Sequence, residues 1–271
     1  MSPGRVGTVD RTAPTAAAPT AASPTGAALA HTADLPTGTC HVWWARPTDA
    51  GPSWVEALDA DERARLDALD RPGERQRFLA AHALTRTVLA AYLGTDPAAL
   101  RFTSGCGACG GPHGKPSLVR EPGARPVEFS VAGAGDRVAV AVAGDPIGLD
   151  VDELGRVSDY SALADMALRP GEQAVLDALS GERRPAAFLR YWTRKEAVLK
   201  ALGIGRAVPP NRIEVSAPDE RAALLDSDLG PLGPVQLFDL TPGGGSAACL
   251  AVLAEVPYRV EILAGTALLR H

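Results

Sequence analysis

The apolar residues between about 40 and 255 fall into two rhythms, one of period two and one of period three to four, and these predict the elements. Cys40-His41-Val42-Trp43-Trp44-Ala45-Arg46 predicts a first strand, closed by Pro47. Leu58, Leu66 and Leu69 sit at helical spacing behind an Asp-rich start, which predicts a helix there. From Gly73 to Leu93 a longer helix carries the stripe Phe78, Leu79, Ala81, Leu84, Val88, Leu89 and Tyr92, and Gly94 stops it. Val127–Val131, Val138–Val142 and Ile147–Leu154 predict three strands, with Ala132-Gly133-Ala134-Gly135-Asp136 as the turn between the first two. Two short helices follow, around Ser161–Leu168 and Gly171–Leu179, then a long one from about Pro185 to Leu202. Short strands are predicted at Arg212–Ser216, Val235–Leu240 and Ala248–Glu255, with Gly243–Gly245 as a hairpin turn. The tail after Pro257 carries no clear pattern. An order of strand, helices and strands occurs twice, split near residue 145, which suggests a duplicated α+β arrangement.

Composition narrows the class. The chain has 271 residues, is 46% apolar and carries a net charge of -5, enough for a sizeable core and ordinary for a globular protein. The mixed charge argues against nucleic-acid binding through bulk positive charge. No apolar run reaches membrane-spanning length. Four cysteines, Cys40, Cys106, Cys109 and Cys249, make no dense disulfide framework, which fits a reducing, cytoplasmic compartment. Residues 1–38 are rich in Ala, Thr and Pro and poor in large apolar side chains, so a disordered extension is expected. The expected division is 1–38 as extension, 39–145 as an N-terminal α+β half, and 146–271 as a C-terminal α+β half.

Chemistry concentrates in two stretches. In Tyr191 to Gly205, Trp192, Glu196 and Lys200 lie four apart and share one stripe of the helix. In Ile147-Gly148-Leu149-Asp150-Val151-Asp152, the two aspartates are two apart on a strand and point the same way. Helix against strand lets Asp150, Asp152 and Glu196 converge with lysines nearby, a site for a hard cation and a phosphorylated ligand. The plain alternatives are solvated acids at a strand end and a routine helix salt bridge. Arg71, Arg75, Arg77 and Arg86 lie in or just before the 73–93 helix, as a solvated face or as a phosphate grip. The loop Ser104 to Pro116 is glycine-rich. It fails the P-loop pattern at Cys109 and Pro116, and it offers zinc Cys106, Cys109 and His113 but no second cysteine pair. A loop whose backbone and Lys115 approach an anion is the favoured reading.

Taken together, Gly148-Leu149-Asp150-Val151-Asp152 and Trp192-x-x-Lys195-Glu196-Ala197-x-x-Lys200-Ala201-x-Gly203-x-Gly205 resemble the 4′-phosphopantetheinyl transferases, in particular the larger, pseudo-dimeric class typified by the surfactin-synthetase-activating enzyme. The resemblance runs in order over about 40–255 and includes Arg86 and Gly114-Lys115-Pro116. It implies two similar α+β halves with the ligand cleft between them and the metal site in the C-terminal half. It implies transfer of the phosphopantetheine arm of coenzyme A to a serine of an apo carrier protein, with magnesium as cofactor and adenosine 3′,5′-bisphosphate as product. Asp150, Asp152 and Glu196 would hold the metal. Glu196, or else Asp152, would act as general base, and Lys200 would stabilise developing charge. Arg77, Arg86, Lys115, Pro116, Lys195 and Lys200 would bind coenzyme. Trp192 is expected to be a core anchor. A monomer is expected, with apo carrier proteins as partners and neither nucleic acid nor membrane. The chain departs from the family at Ala132-Gly133-Ala134, where Ser-His-Ser or close to it is usual, and at Asp152, where Glu is frequent. The first departure keeps a non-catalytic binder of coenzyme A or carrier protein as the alternative.

Overall fold

A computed structural model describes residues 35–105, 111, 114–120, 126–154 and 160–270. Most of the expected N-terminal extension lies outside these residues, as do Cys106, Cys109 and His113. Leu35, which falls inside the expected extension, is buried in the first core.

The elements run β1 (Thr39–Ala45), α1 (Ala60–Asp67), α2 (Pro72–Leu93), β2 (Phe102–Thr103), β3 (Ser117–Leu118), β4 (Glu128–Ala134), β5 (Arg137–Ala143) and β6 (Ile147–Glu153). Then come α3 (Tyr160–Ala167), α4 (Pro170–Asp177), α5 (Arg183–Ala201), β7 (Ile213–Val215), β8 (Leu224–Ser227), β9 (Val235–Leu240), β10 (Ser246–Leu253), β11 (Arg259–Ala264) and α6 (Thr266–Leu269). The fold is α+β. One sheet has the order β11-β1-β5-β4 and a second the order β6-β10-β9. In sequence terms, strand, long helix and hairpin give β1-β5-β4 with α2, and then β6-β10-β9 with α5. The second half thus repeats the antiparallel order of the first.

Alternation explains how the halves join. On β5, Val138, Val140 and Val142 pack under α2, while Ala139, Ala141 and Ala143 face the second sheet. Those alanines let the sheets approach, and Ile147, Leu149, Val151, Leu250 and Val252 fill the layer between them. On β6 the other face, Gly148, Asp150 and Asp152, turns toward α5. There Gly148 is obligatory. A Cβ at that position would lie 2.0 Å from the Ala197 carbonyl oxygen and 2.3 Å from the Ala201 nitrogen.

Two expectations need correction. Ala132, Gly133 and Ala134 belong to β4 and not to a turn: they pair with Ala139, Val138 and Arg137, and the turn is Gly135-Asp136. Ala132 and Ala134 are buried between the sheets, so the apolar alternation simply continues. The patternless tail forms β11, parallel to β1, and α6, whose Leu268 and Leu269 enter the first core. The last strand therefore belongs to the first sheet. At the sheet edge, Arg259 and Ile262 are exposed and the other four residues half-buried, so no period of two marks the strand.

Candidate active site

The close packing of α5 on β6 sets the site. Lys200, near the C-terminus of α5, donates to the Leu149 carbonyl at 3.1 Å and to Asp150 Oδ1 at 2.6 Å. Asp150 is buried, and its second oxygen, Oδ2, has no partner among the described residues. A buried carboxylate oxygen left this way is costly unless a ligand meets it. Asp152, two residues on, and Glu196, on the Lys200 stripe of α5, are half-buried. Asp152 Oδ1 accepts the Glu153 amide at 2.9 Å. Among the described residues, no three acidic, histidine or cysteine side chains are grouped closely enough to hold a metal ion.

The β4–β5 turn packs against the end of β6. Gly135 takes φ 53°, and a Cβ there would meet Glu153 Oε2 at 1.9 Å. Arg77, from α2, donates to the Gly135 carbonyl at 3.2 Å. A Cβ added at Gly133 would be in ordinary van der Waals contact with Arg77 Cδ at 3.5 Å, and tighter against the Arg137 carbonyl oxygen at 3.1 Å and Val138 Cγ1 at 3.2 Å. Arg77 is thus brought beside the carboxylate end of β6.

Pro116 and the other face of β4 line a cavity of about 610 Å³. Phe129 and Val131 form its floor, Phe102 and Ser104 one wall, and Arg65, His82 and Thr85 the helical side. Val131, in the floor, and Gly133, which is not part of the lining, share a face of β4, about 7 Å apart. Sequence reading did not single out Arg65, His82 or Phe102. Each looks like an ordinary helix or strand residue, and only the packing of α1 and α2 around β4 groups them.

Three expected coenzyme ligands use their donors within the fold. Lys195 is fully buried. Its ammonium donates to the carbonyls of Ala167, Ile213 and Pro210 and pairs with Glu172 at 2.5 Å. Burial lowers its pKa, and Glu172 works against that. Lys195 follows Arg194 away from the Glu196 stripe, so it points into the second core. Arg86 is also fully buried. It donates to Glu62 Oε2 at 2.9 and 2.7 Å, to Asp59, and to the carbonyls of Pro97 and Leu100, so its donors are consumed inside the fold. Lys115 donates to the Ile147 carbonyl at 2.7 Å and ties its loop to the start of β6. Burial lowers its pKa, with Glu128 opposing. Trp192 packs on the second core beside Phe188, ring centroids 6.1 Å apart, as an anchor.

Residues 146–248, which span β6 through β9 with α5 and reach the start of β10, match the family model described as 4′-phosphopantetheinyl transferase superfamily. The chain is 35% identical over 183 residues to a putative 4′-phosphopantetheinyl transferase of Synechocystis, covering 66% of this chain and 70% of that protein. It is 31% identical over 215 residues to the 4′-phosphopantetheinyl transferase HetI of Nostoc, covering 77% and 86%. A solved holo-(acyl-carrier-protein) synthase of Bacillus anthracis, in complex with CoA, is 28% identical, covering 40% of this chain and 94% of that one with a TM-score of 0.35.

Proposed function

The chain belongs to the 4′-phosphopantetheinyl transferase superfamily, and we propose from that premise how its residues carry out the reaction. It transfers the 4′-phosphopantetheine arm of coenzyme A to a serine of an apo carrier protein. The carrier serine oxygen attacks the phosphorus that bears the arm. The bond from that phosphorus to the bridging oxygen breaks, and adenosine 3′,5′-bisphosphate leaves. The serine proton goes to Glu196, with Asp152 the second candidate base. Lys200 stands on the same stripe and supplies positive charge toward the phosphates.

The chemistry of these side chains fits magnesium, whose preferred ligands are carboxylate oxygens with phosphate and water, but the three carboxylates are not grouped closely enough to hold an ion by themselves, so ligand phosphate would have to complete the set. Asp150, Asp152 and Glu196 would hold it, and the unpartnered Oδ2 of Asp150 supports that role. When bound, the ion supplies charge neutralisation on the phosphates. The Arg77 bond to the Gly135 carbonyl, beside Glu153 at the end of β6, supports a role for Arg77 on the diphosphate, and the cavity lined by Pro116 would take the nucleotide end. Lys115 acts by anchoring its loop, while Arg86 and Lys195 act through the fold. We take one half as 39–145 with the returning strand β11, and the other as 146–258. The partners are carrier proteins or carrier domains.

The observation that carries this reading is the β6–α5 contact, with Asp150 held by Lys200 and its second oxygen buried without a partner among the described residues. Intact-mass spectrometry of an apo carrier protein with this protein, coenzyme A and magnesium tests it. One phosphopantetheine arm should be gained, and lost with Asp150→Ala or Glu196→Ala. No gain across several carriers, despite coenzyme binding by calorimetry, would favour the non-catalytic alternative, which the absence of hydroxyl and imidazole groups at 132–134 motivates.

A further inference from the structure

One edge of β6 is held by side chains where a neighbouring strand would normally hold it. The Leu253 amide donates to the Pro146 carbonyl and the Leu154 amide to the Gly245 carbonyl, so the even-numbered residues of β6 turn their main chain toward β10. Ile147, Leu149, Val151 and Glu153 turn theirs to the opposite edge, which lies against β4, a strand of the other sheet. Side chains from three places meet this edge. Lys115 donates to the Ile147 carbonyl at 2.7 Å, the Leu149 amide donates to Ser130 Oγ at 2.9 Å, and Lys200 donates to the Leu149 carbonyl at 3.1 Å. Lys115 and Ser130 come from the first half and Lys200 from the second.

Leu149 is thus gripped at both of its polar main-chain groups, and it is the residue immediately before Asp150. Ser130, on β4, is buried and stands in the row of Ala132 and Ala134, facing the second sheet. A small apolar residue would fill this layer as those alanines do. What the hydroxyl adds is a directed bond, which fixes a strand where apolar contact lets it slide. Without Oγ the Leu149 amide is left buried and short of an acceptor, and β6 gains a reason to shift. The consequence reaches the site, because the Lys200 ammonium that binds the Leu149 carbonyl also binds Asp150 Oδ1, at 2.6 Å. A displaced Leu149 peptide moves the lysine and the carboxylate together.

We infer that Ser130 is a positioning residue for the transfer reaction: by accepting the Leu149 amide across the seam between the sheets, it sets where the Asp150 carboxylate and the Lys200 ammonium stand. The inference rests on the proposed role of Asp150 in that site. Ser130 acts through Leu149, so it belongs to the first half but serves chemistry carried by the second.

The test is a double-mutant cycle on the rate: wild type, Ser130→Ala, Asp150→Asn and the double variant, each assayed with coenzyme A and an apo carrier protein well below its unfolding temperature. In the wild-type background Ser130→Ala should lower kcat about tenfold and leave the KM for coenzyme A unchanged. In the Asp150→Asn background it should lower kcat less than about twofold, because the carboxylate it positions is gone. The loss of thermal stability, read by circular dichroism, should be the same in both backgrounds. Ser130→Thr keeps the hydroxyl and should lose less of kcat than Ser130→Ala. An equal fall in kcat in both backgrounds would mean that Ser130 only holds the sheets together. An unchanged kcat in the wild-type background, with or without a shift in KM, would mean that its bond positions nothing. Either result overturns the inference. If the alanine variant does not fold, Ser130→Cys, whose sulfur is a weak acceptor, gives the same cycle. If wild type transfers the arm to no carrier, the parent reading fails and this inference with it. If wild type transfers the arm and the cycle shows no coupling, this inference alone fails.

Discussion

Single carboxylates in this chain do opposite jobs according to what meets them. Asp150 is buried with one oxygen on Lys200 and the other without a partner among the described residues, an arrangement that costs stability and that we propose serves ligand binding. Asp150→Asn keeps the shape and removes the charge. Transfer should fall by a factor on the order of 10² to 10³ while the circular dichroism spectrum is unchanged; retention of more than half the rate would exclude Asp150 from the site. Glu62 is the reverse case. Burial pushes its carboxyl upward, but hydrogen bonds from His82, Arg86 and the Asp59 amide outweigh that and bring it down from 4.5 to about 2. A carboxyl held low in the folded state stabilises above its ordinary pKa, and that stabilisation drains away as pH falls from about 4.5 toward 2. The shift corresponds to about 3 kcal/mol at neutral pH. Urea unfolding of Glu62→Gln and wild type should therefore differ widely at pH 7, draw together below about pH 4.5 and converge at about pH 2 or below. A gap that stays constant would show that the stabilisation is not ionic.

At the scale of elements, the site exists because α5 lies unusually close to β6. Gly148→Ala puts a methyl into the α5 backbone and should cost about 1–3 kcal/mol, with α5 displaced from Asp150. Thermal unfolding and transfer rate should fall together, and a stable but inactive variant would mean the helix moved without loosening the core. Lys195 tests the same helix from its buried side. Lys195→Met strands Glu172 in the core and should destabilise by about 3–5 kcal/mol. The folded fraction should bind coenzyme A with unchanged affinity by calorimetry. Weakened binding in folded protein would return Lys195 to the coenzyme site. These residues also mark what was legible beforehand. The Asp150–Asp152 strand and the Glu196–Lys200 stripe follow from periods of two and four, which the fold respects. Lys195 was misread because adjacency in sequence turns a helical side chain by about 100°, from the site to the core. Arg86 was misread because a helical arginine carries no mark of the carboxylates that will bury it. His82 and Arg65 were missed because their cavity is made by three elements distant in sequence.

The whole molecule is two copies of one topology that do not have separate interiors. The layer between the sheets takes Val42, Ala139 and Ala141 from the first and Leu149, Leu250 and Val252 from the second. The last strand, after leaving the second sheet, pairs with β1, and Trp54 Nε1 donates to the Leu269 carbonyl at 3.0 Å, so the chain end is fastened to the first half. Neither half can lose its structure without exposing the shared layer, and loss of that layer removes the packing that both helices rest on. Unfolding should therefore be one cooperative transition. The tryptophans divide conveniently: Trp43, Trp44 and Trp54 belong to the first half and Trp192 to the second. In Trp192→Phe, fluorescence reports the first half alone, while far-UV circular dichroism reports both long helices. The two urea transitions should coincide in midpoint. A fluorescence midpoint clearly above or below the dichroism midpoint would mean that the halves melt separately. In that case a cleft between them could open without unfolding, and the coenzyme site would be a hinge and not a fixed cradle.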